Sequence, residues 1–187
     1  MMRPLLTGLR ARMRRGARDE RGSATLPFII LFPMFILIVI SSIEMGLLTV
    51  RHVMLERGLD MSVRGLRLGS WTNPTHDDLK RSICRNAGII PDCMNSLLVE
   101  LRPIDKSTWE PLNAATTCVD RSRPVQPVTI FNPGVSDEMM LIRACIKVSP
   151  MAPMTGLGMG LPKDAAGQYA LVSSTAFVNE PRPGGGS

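Results

Sequence analysis

The sequence predicts an α+β fold, in which one long N-terminal helix, transmembrane below and amphipathic above, carries a small antiparallel β-sheet domain. Three observations support this prediction. Residues 26–43 are uncharged and almost wholly apolar. Residues 51–70 repeat apolar residues at spacings of three and four between charged ones, as an amphipathic helix does. Beyond residue 70, alternating apolar segments typical of strands are separated by Pro- and Gly-rich stretches.

These changes in composition divide the 187 residues into five segments. They are a basic cytoplasmic leader (1–22), a transmembrane helix (23–50), its amphipathic continuation (51–70), a disulfide-containing α+β domain (71–181) and a flexible tail (182–187).

The apolar run has the length of a membrane span. Its residues, at about 1.5 Å of rise each, reach about 27 Å, close to the hydrocarbon core of roughly 30 Å. A cleaved signal peptide is the alternative, but its apolar region is about 7 to 15 residues long, and no small-residue cleavage site follows this run. We therefore expect one helix from about Pro27 to about Leu68, with its lower half in membrane lipid.

The charge of the leader predicts the orientation of the span. Seven arginines and two acids give residues 1–22 a net charge of +5, out of +6 for the chain. Because basic residues favour the cytoplasmic flank of a span, we expect a cytoplasmic N-terminus, a single pass and a domain on the far side. The leader lacks interleaved aromatic residues, so its charge does not indicate nucleic-acid binding.

Two prolines lie in the apolar run. Pro27 falls in the first helical turn, where its missing N–H would have no intrahelical partner, and Ser23 or Thr25 can cap the helix. Pro33 is interior, and it predicts either a tolerated kink or a packing notch in an assembly.

The domain contains signals for one helix and four strands. Thr75 is a suitable N-cap for a helix from His76 to Ala87, and Gly88 can end it. The strands are expected to form an antiparallel sheet with one buried face. The predicted strands are Leu97–Ile104, Thr116–Arg121, Glu138–Ser149 and Tyr169–Val178.

The stretches between the later strands, 125–134 and 150–167, are predicted to be loops. Within the second, Gly156 to Gly160 resembles a phosphate-binding loop, but it lacks the following helix and the lysine or acid that such loops use. We interpret it as a flexible loop.

All four cysteines lie beyond the predicted span. If that side is the oxidising periplasm, an even number of cysteines predicts two disulfides, and three pairings are possible. We favour Cys84 with Cys93, and Cys118 with Cys145. Zinc and free thiols are the alternatives, but no CxxC pair occurs and the two histidines lie far from any ligand cluster.

No catalytic constellation is evident. His52 and His76 have no Ser, Cys or Asp partner at an informative spacing. Asp77 and Asp78 are explained as charges at a helix N-terminus. We therefore predict a protein that is not an enzyme and needs no cofactor or metal.

Two short motifs, one near each end, point to a known family. The first joins residues 19–25, the apolar segment with Pro33, and Ser42-Ile43-Glu44-Met45-Gly46. The second is the ending Phe177-Val178-Asn179-Glu180-Pro181. Together they resemble TadE-like proteins, of the TadE, TadF and TadG group, which are minor pilins or pseudopilins of the tight adherence (Tad or Flp) pilus system.

The resemblance implies a bacterial inner-membrane protein with a periplasmic domain that helps to assemble a type IV-related adhesive pilus. The implied partners are other pilins or pseudopilins, inner-membrane platform proteins, membrane lipid and a prepilin peptidase that cuts between Gly22 and Ser23. Prepilins of this class usually have a glutamate five residues after that glycine, whereas this chain has Pro27. The chain is therefore either cut and able to enter the filament, or kept whole as a membrane anchor.

Glu44 ends the apolar run, and a charge inside lipid is costly. We expect its carboxylate either to reach water at the outer interface or to contact a basic group on a partner helix. A second functional class fits the same architecture: a single-pass, membrane-anchored periplasmic binding or sensor module unrelated to pili.

Overall fold

The computed structural model describes residues 25–71, 73–105, 107, 118–119 and 130–181. The predicted leader, Gly22, Ser23 and the predicted tail lie outside these residues. The elements in chain order are helices α1 (Thr25–Arg67), α2 (His76–Ala87) and α3 (Cys93–Ser96), strands β1 (Leu97–Pro103) and β2 (Met139–Val148), helix α4 (Gly156–Gly160) and strand β3 (Tyr169–Val178). The strands form an antiparallel sheet in the order β1-β2-β3, so the predicted α+β fold is confirmed.

Helix α1 is the long helix that the sequence predicts. It runs for 43 residues without a break, with Pro27 in its first turn and Pro33 inside it. Its lower half is exposed, whereas its upper half is buried along one face. The buried residues of that face are Leu55, Gly58, Leu59, Ser62, Val63 and Leu66.

The hydrophobic core lies between the sheet and the two longer helices. Leu97, Val99 and Leu101 of β1 point into it together, as the alternation of their strand predicts. The helices and the other two strands also contribute Leu55, Leu59, Leu79, Ile83, Met140, Ile142, Ile146, Tyr169 and Leu171.

Helix α2 begins and ends at the predicted caps. The Thr75 hydroxyl accepts a hydrogen bond from the Asp78 backbone N–H, and the Asp78 carboxylate accepts one from the Thr75 backbone N–H, both at 3.2 Å. The Thr75 hydroxyl also donates to the Asp78 carboxylate at 2.6 Å, and this bond, the one from the Thr75 N–H and the nearby Arg81 guanidinium hold the pKa of the Asp78 carboxyl below its usual value. Gly88 follows the helix with a φ of +55° and donates its N–H to Cys84 O.

The sheet differs from the prediction of a single buried face. On β2, Leu141, Arg143 and Cys145 are buried although they point away from the core face. The Cys118–Cys145 disulfide brings residues 118–119 to this second face, and Val119 is buried there. The central strand is therefore covered on both sides.

Two further segments differ from the prediction. Cys118 and Val119 belong to no strand, and the rest of the predicted strand Thr116–Arg121 lies outside the described residues. In a predicted loop, Leu101 donates its N–H to Ile130 O and accepts one from Asn132 N, each at 2.9 Å, so residues 130–132 pair in parallel with β1.

Candidate functional site

The lower half of α1 exposes nearly all of its apolar side chains. Across residues 26–38 these include four phenylalanine and methionine side chains and several leucines and isoleucines. The helix is long and apolar enough to cross a membrane. A water-soluble protein would bury such a surface, so this half of α1 is suited to lipid or to other apolar helices.

Glu44 lies where this apolar surface meets the domain. Its side chain is 1% exposed, and its carboxylate accepts the backbone N–H of Met151 at 2.9 Å and that of Ala152 at 3.1 Å. The expectation that this carboxylate reaches water is wrong, because a loop of the same chain covers it. A carboxylate that accepts two backbone hydrogen bonds is stabilised without water.

The loop that covers Glu44, which we call the docked loop, consists of residues 150–162. Lower on α1, the Leu157 N–H points to the Ser41 hydroxyl at 3.3 Å, and Ser41 itself donates to Leu37 O at 2.8 Å. Gly156, with a φ of +48°, lies so close to α1 that a Cβ there would overlap the Ser41 hydroxyl. The docked loop thus follows α1 downward for about two turns below Glu44.

The docked loop contains a further difference from the sequence prediction. Residues 156–160 form the short helix α4 and not an irregular loop. This Gly-rich segment takes up one helical turn where Leu157 hydrogen-bonds to Ser41 and Gly156 lies against α1. In this position, the segment that resembles a phosphate cradle lies against an apolar helix.

The opposite side of α1 is uncovered. Gly46 is about 200° around the helix from Glu44, and a Cβ on it would meet no atom within 4 Å. Ile43, Val50 and Val53 lie on the same side and are exposed. We call these four residues the back face; their side chains are apolar, the helix has no side-chain bulk at Gly46, and the four span α1 from the level of Glu44 to Val53.

Polar contacts join α1 to the sheet just above Glu44. The Arg51 guanidinium donates to Ser149 O at 3.2 Å and to the Tyr169 hydroxyl at 3.3 Å. One ring nitrogen of His52 lies 3.1 Å from Val172 O. His52 therefore contacts β3.

The base of the docked loop is charged. The Lys163 ammonium donates to Pro153 O at 3.0 Å and to Gly158 O at 2.7 Å, within the docked loop. Lys147 and Asp164 form an ion pair at 2.7 Å. Burial of Asp164 opposes its ionisation, but the hydrogen bonds from Lys147 and from the backbone of residues 166 and 168 outweigh this and lower its pKa.

The Asn-Glu-Pro ending closes the domain on α1. Asn179 is buried, and its amide donates to Pro133 O and Val135 O, both at 3.0 Å. Glu180 donates its N–H to Arg67 O and its carboxylate accepts from the Arg67 guanidinium at 3.0 Å. In this chain, the motif that resembles the family ending holds the last turn of α1.

Both disulfides of the favoured pairing are present. Cys84 and Cys93 link α2 to α3, with their Cα atoms 5.7 Å apart. Cys118 and Cys145 join the 118–119 segment to the central strand, with their Cα atoms 5.3 Å apart. Within the described part of the chain, no group of three His, Cys, Asp or Glu side chains could hold a metal ion.

The chain matches no protein-family model, no curated protein and no solved structure.

Glu44 and Gly46 stand out in the sequence, whereas the packing of the docked loop on α1 was not predicted from it. One signal was available: residues 150–162 contain no charged residue and one hydroxyl, that of Thr155. A loop exposed to water is normally more polar than that, so this composition indicates a covered or membrane-facing position.

Proposed function

We propose that this chain is a TadE-like pseudopilin or minor pilin-type component, without catalytic activity, that helps to assemble a type IV-related tight adherence pilus. It is anchored in a bacterial inner membrane by α1, with a cytoplasmic N-terminus and a periplasmic domain. Its partners are other pilins or pseudopilins and the inner-membrane platform proteins, and the prepilin peptidase acts on it if Gly22 is a cleavage site.

The back face of α1 is the observation that carries the proposal. Twenty residues from Thr25 reach Glu44, about 30 Å along the helix, which is the thickness of the hydrocarbon core. Val50 and Val53 lie above that level and are still exposed. Lipid does not cover them there, so a partner helix is the expected cover.

Gly46 supports the same proposal. A glycine in a helix interior costs about 0.5–1 kcal/mol relative to alanine, and no contact within the described chain requires one at this position. Small residues let two membrane helices approach closely. We therefore place the partner helix against Gly46 in the assembled pilus base.

The experiment is a complementation test in cells that carry this chain. The gene is deleted and replaced by the wild type, by Gly46→Ala or by Gly46→Leu, and surface pili are counted by electron microscopy. We expect deletion to abolish pili, wild type to restore them, and restoration to fall from Ala to Leu as the side chain fills the contact.

Both substitutions meet open space in the isolated chain, so equal protein levels in the membrane fraction serve as the folding control. Full piliation without the gene would contradict the proposal and favour the anchored binding or sensor module. Full piliation with Gly46→Leu would show that the back face does not contact a partner in the assembly.

Processing at Gly22 is tested by the intact mass of the membrane-extracted protein from cells with and without the prepilin peptidase. A peptidase-dependent loss of residues 1–22 would make the chain a processed pseudopilin despite Pro27. An uncut chain in both strains would make it a permanent anchor of the assembly platform.

A further inference from the structure

We propose that the docked loop inserts its methionine-rich tip into the boundary between headgroups and acyl chains of the domain-side leaflet. The occupant of this surface is phospholipid. The inference rests on the membrane span of α1, which is part of the proposed function, and it does not depend on the role in pilus assembly.

The position of the docked loop along α1 sets its depth. If the span fills residues 25–44, the edge of the hydrocarbon lies near Glu44. The docked loop contacts Ser41 and Leu37, which lie about 5 Å and about 10 Å below that edge. This is the depth at which interfacial segments bury their apolar side chains, about 5–10 Å.

The side chains of the docked loop suit that depth. Met154 is 84% exposed and Met159 is 69% exposed, and Met151 is exposed beside them. Leu157 lines a hollow of about 580 Å³ together with Leu37, Ile38, Ser41, Ser42 and Met45 of α1. The two serine hydroxyls donate to helix carbonyls, so the loop surface joins the apolar surface of the helix with these polar groups paired.

Several backbone groups of the docked loop have partners within the chain. A backbone group without a partner costs several kcal/mol in lipid, so an irregular segment must be satisfied internally. Glu44 accepts the N–H groups of Met151 and Ala152, and Lys163 donates to the carbonyls of Pro153 and Gly158. Pro150, Pro153 and Pro162 have no N–H to satisfy.

Two basic side chains lie at the base of the docked loop. Arg51 donates to Ser149 O, and the Lys163 ammonium donates to Pro153 O and Gly158 O. Basic side chains near the end of a membrane span can lay their apolar stems against lipid while their charged ends reach polar groups. The base of the loop therefore suits the headgroup region of a bilayer.

The test uses the full chain in phospholipid nanodiscs that hold one copy each. The sample is treated briefly with chloramine-T, a charged oxidant that converts exposed methionines to sulfoxides, and the oxidation rate of each methionine is read by peptide mass spectrometry. Met61, on the upper half of α1 and 53% exposed, is the internal reference.

We expect Met154 and Met159 to oxidise several-fold more slowly than Met61, although both are more exposed on the protein. Oxidation at the rate of Met61 or faster would overturn the insertion. Protection that appears only in discs with two or more copies would assign the surface to a second copy and also overturn it.

Met34, in the lower half of α1, separates this inference from the span itself. Protected Met34 with oxidised Met154 would reject the loop insertion and leave the span in place. Oxidised Met34 would reject the span, and with it both the insertion and the proposed membrane anchoring.

Discussion

Glu44 shows how one charged residue can be accommodated at the end of an apolar helix. The carboxylate needs hydrogen-bond donors in the absence of water, and the docked loop needs acceptors for two N–H groups near α1. The Glu44 carboxylate pairs with the N–H groups of Met151 and Ala152, which lie 107 and 108 residues away in the sequence. The position therefore requires an acid for a structural reason, whatever partner the helix has.

Replacing Glu44 should release the docked loop. In Glu44→Ala the N–H groups of Met151 and Ala152 lose their acceptor, at a cost of about 1–3 kcal/mol. We expect faster hydrogen–deuterium exchange across residues 150–162, with the exchange of α2 and β2 unchanged. Glu44→Gln keeps an oxygen acceptor and should give an intermediate rate.

Glu56→Ala is the matched control. Glu56 is an exposed glutamate on the same helix, and its carboxylate lies 3.8 Å from the His52 ring. Equal exchange of the docked loop in the Glu44→Ala variant and in the control would show that the carboxylate does not hold it.

The stability of the folded protein should depend on pH through Asp164, which lies at the base of the docked loop. Its pKa is lower in the folded protein than its ordinary value of 3.8, so the ionised group stabilises the folded state at pH above 3.8. This contribution is lost as the pH falls below 3.8 through the pKa of the folded protein. Asp164→Asn should therefore melt at a lower temperature than the wild type at neutral pH.

The difference in melting temperature between the two proteins should shrink below pH 3.8, and circular dichroism in detergent measures it. A constant difference down to pH 3 would rule out the carboxylate as its source.

For several helices and strands, the local sequence was sufficient to predict where the element begins and ends. The capping pattern around Thr75 predicted both ends of α2, and alternation predicted β1, β2 and β3 to within one residue at each end. These signals lie within each element. The docked loop and the second covered face of β2 depend on contacts distant in sequence, such as Glu44 with Met151 and Cys118 with Cys145, and local patterns do not encode those.

The packing of α1 on α2 depends on Gly58. A Cβ at this position would lie 2.7 Å from Ile83 O and 3.2 Å from the Ala87 Cβ. Gly58→Ala should separate the helices, and the loss in packing should exceed the gain in helix propensity by about 1–2 kcal/mol.

Gly46→Ala on the same helix is the control and should leave the stability unchanged or raise it by up to about 1 kcal/mol. Thermal unfolding of both variants in detergent gives the comparison. A Gly58→Ala protein as stable as Gly46→Ala would mean that the two helices move apart without cost.

At the scale of the whole molecule, the chain is ordered along the axis of α1. An exposed apolar half comes first, then Glu44 with the docked loop, then a band of polar contacts at Arg51 and His52, and last the disulfide-linked domain. The back face extends from Ile43, at the level of Glu44, to Val53, at the level of the polar contacts, and no described element covers it. The proposal that α1 packs on pilus partners depends on this face.

The most direct measurement is photo-crosslinking in living cells from a photoreactive amino acid placed at position 46. We predict an adduct with a pilin or with an inner-membrane platform protein, and its loss when the pilus genes are deleted. An adduct pattern that is unchanged by deletion of those genes would contradict the assembly role.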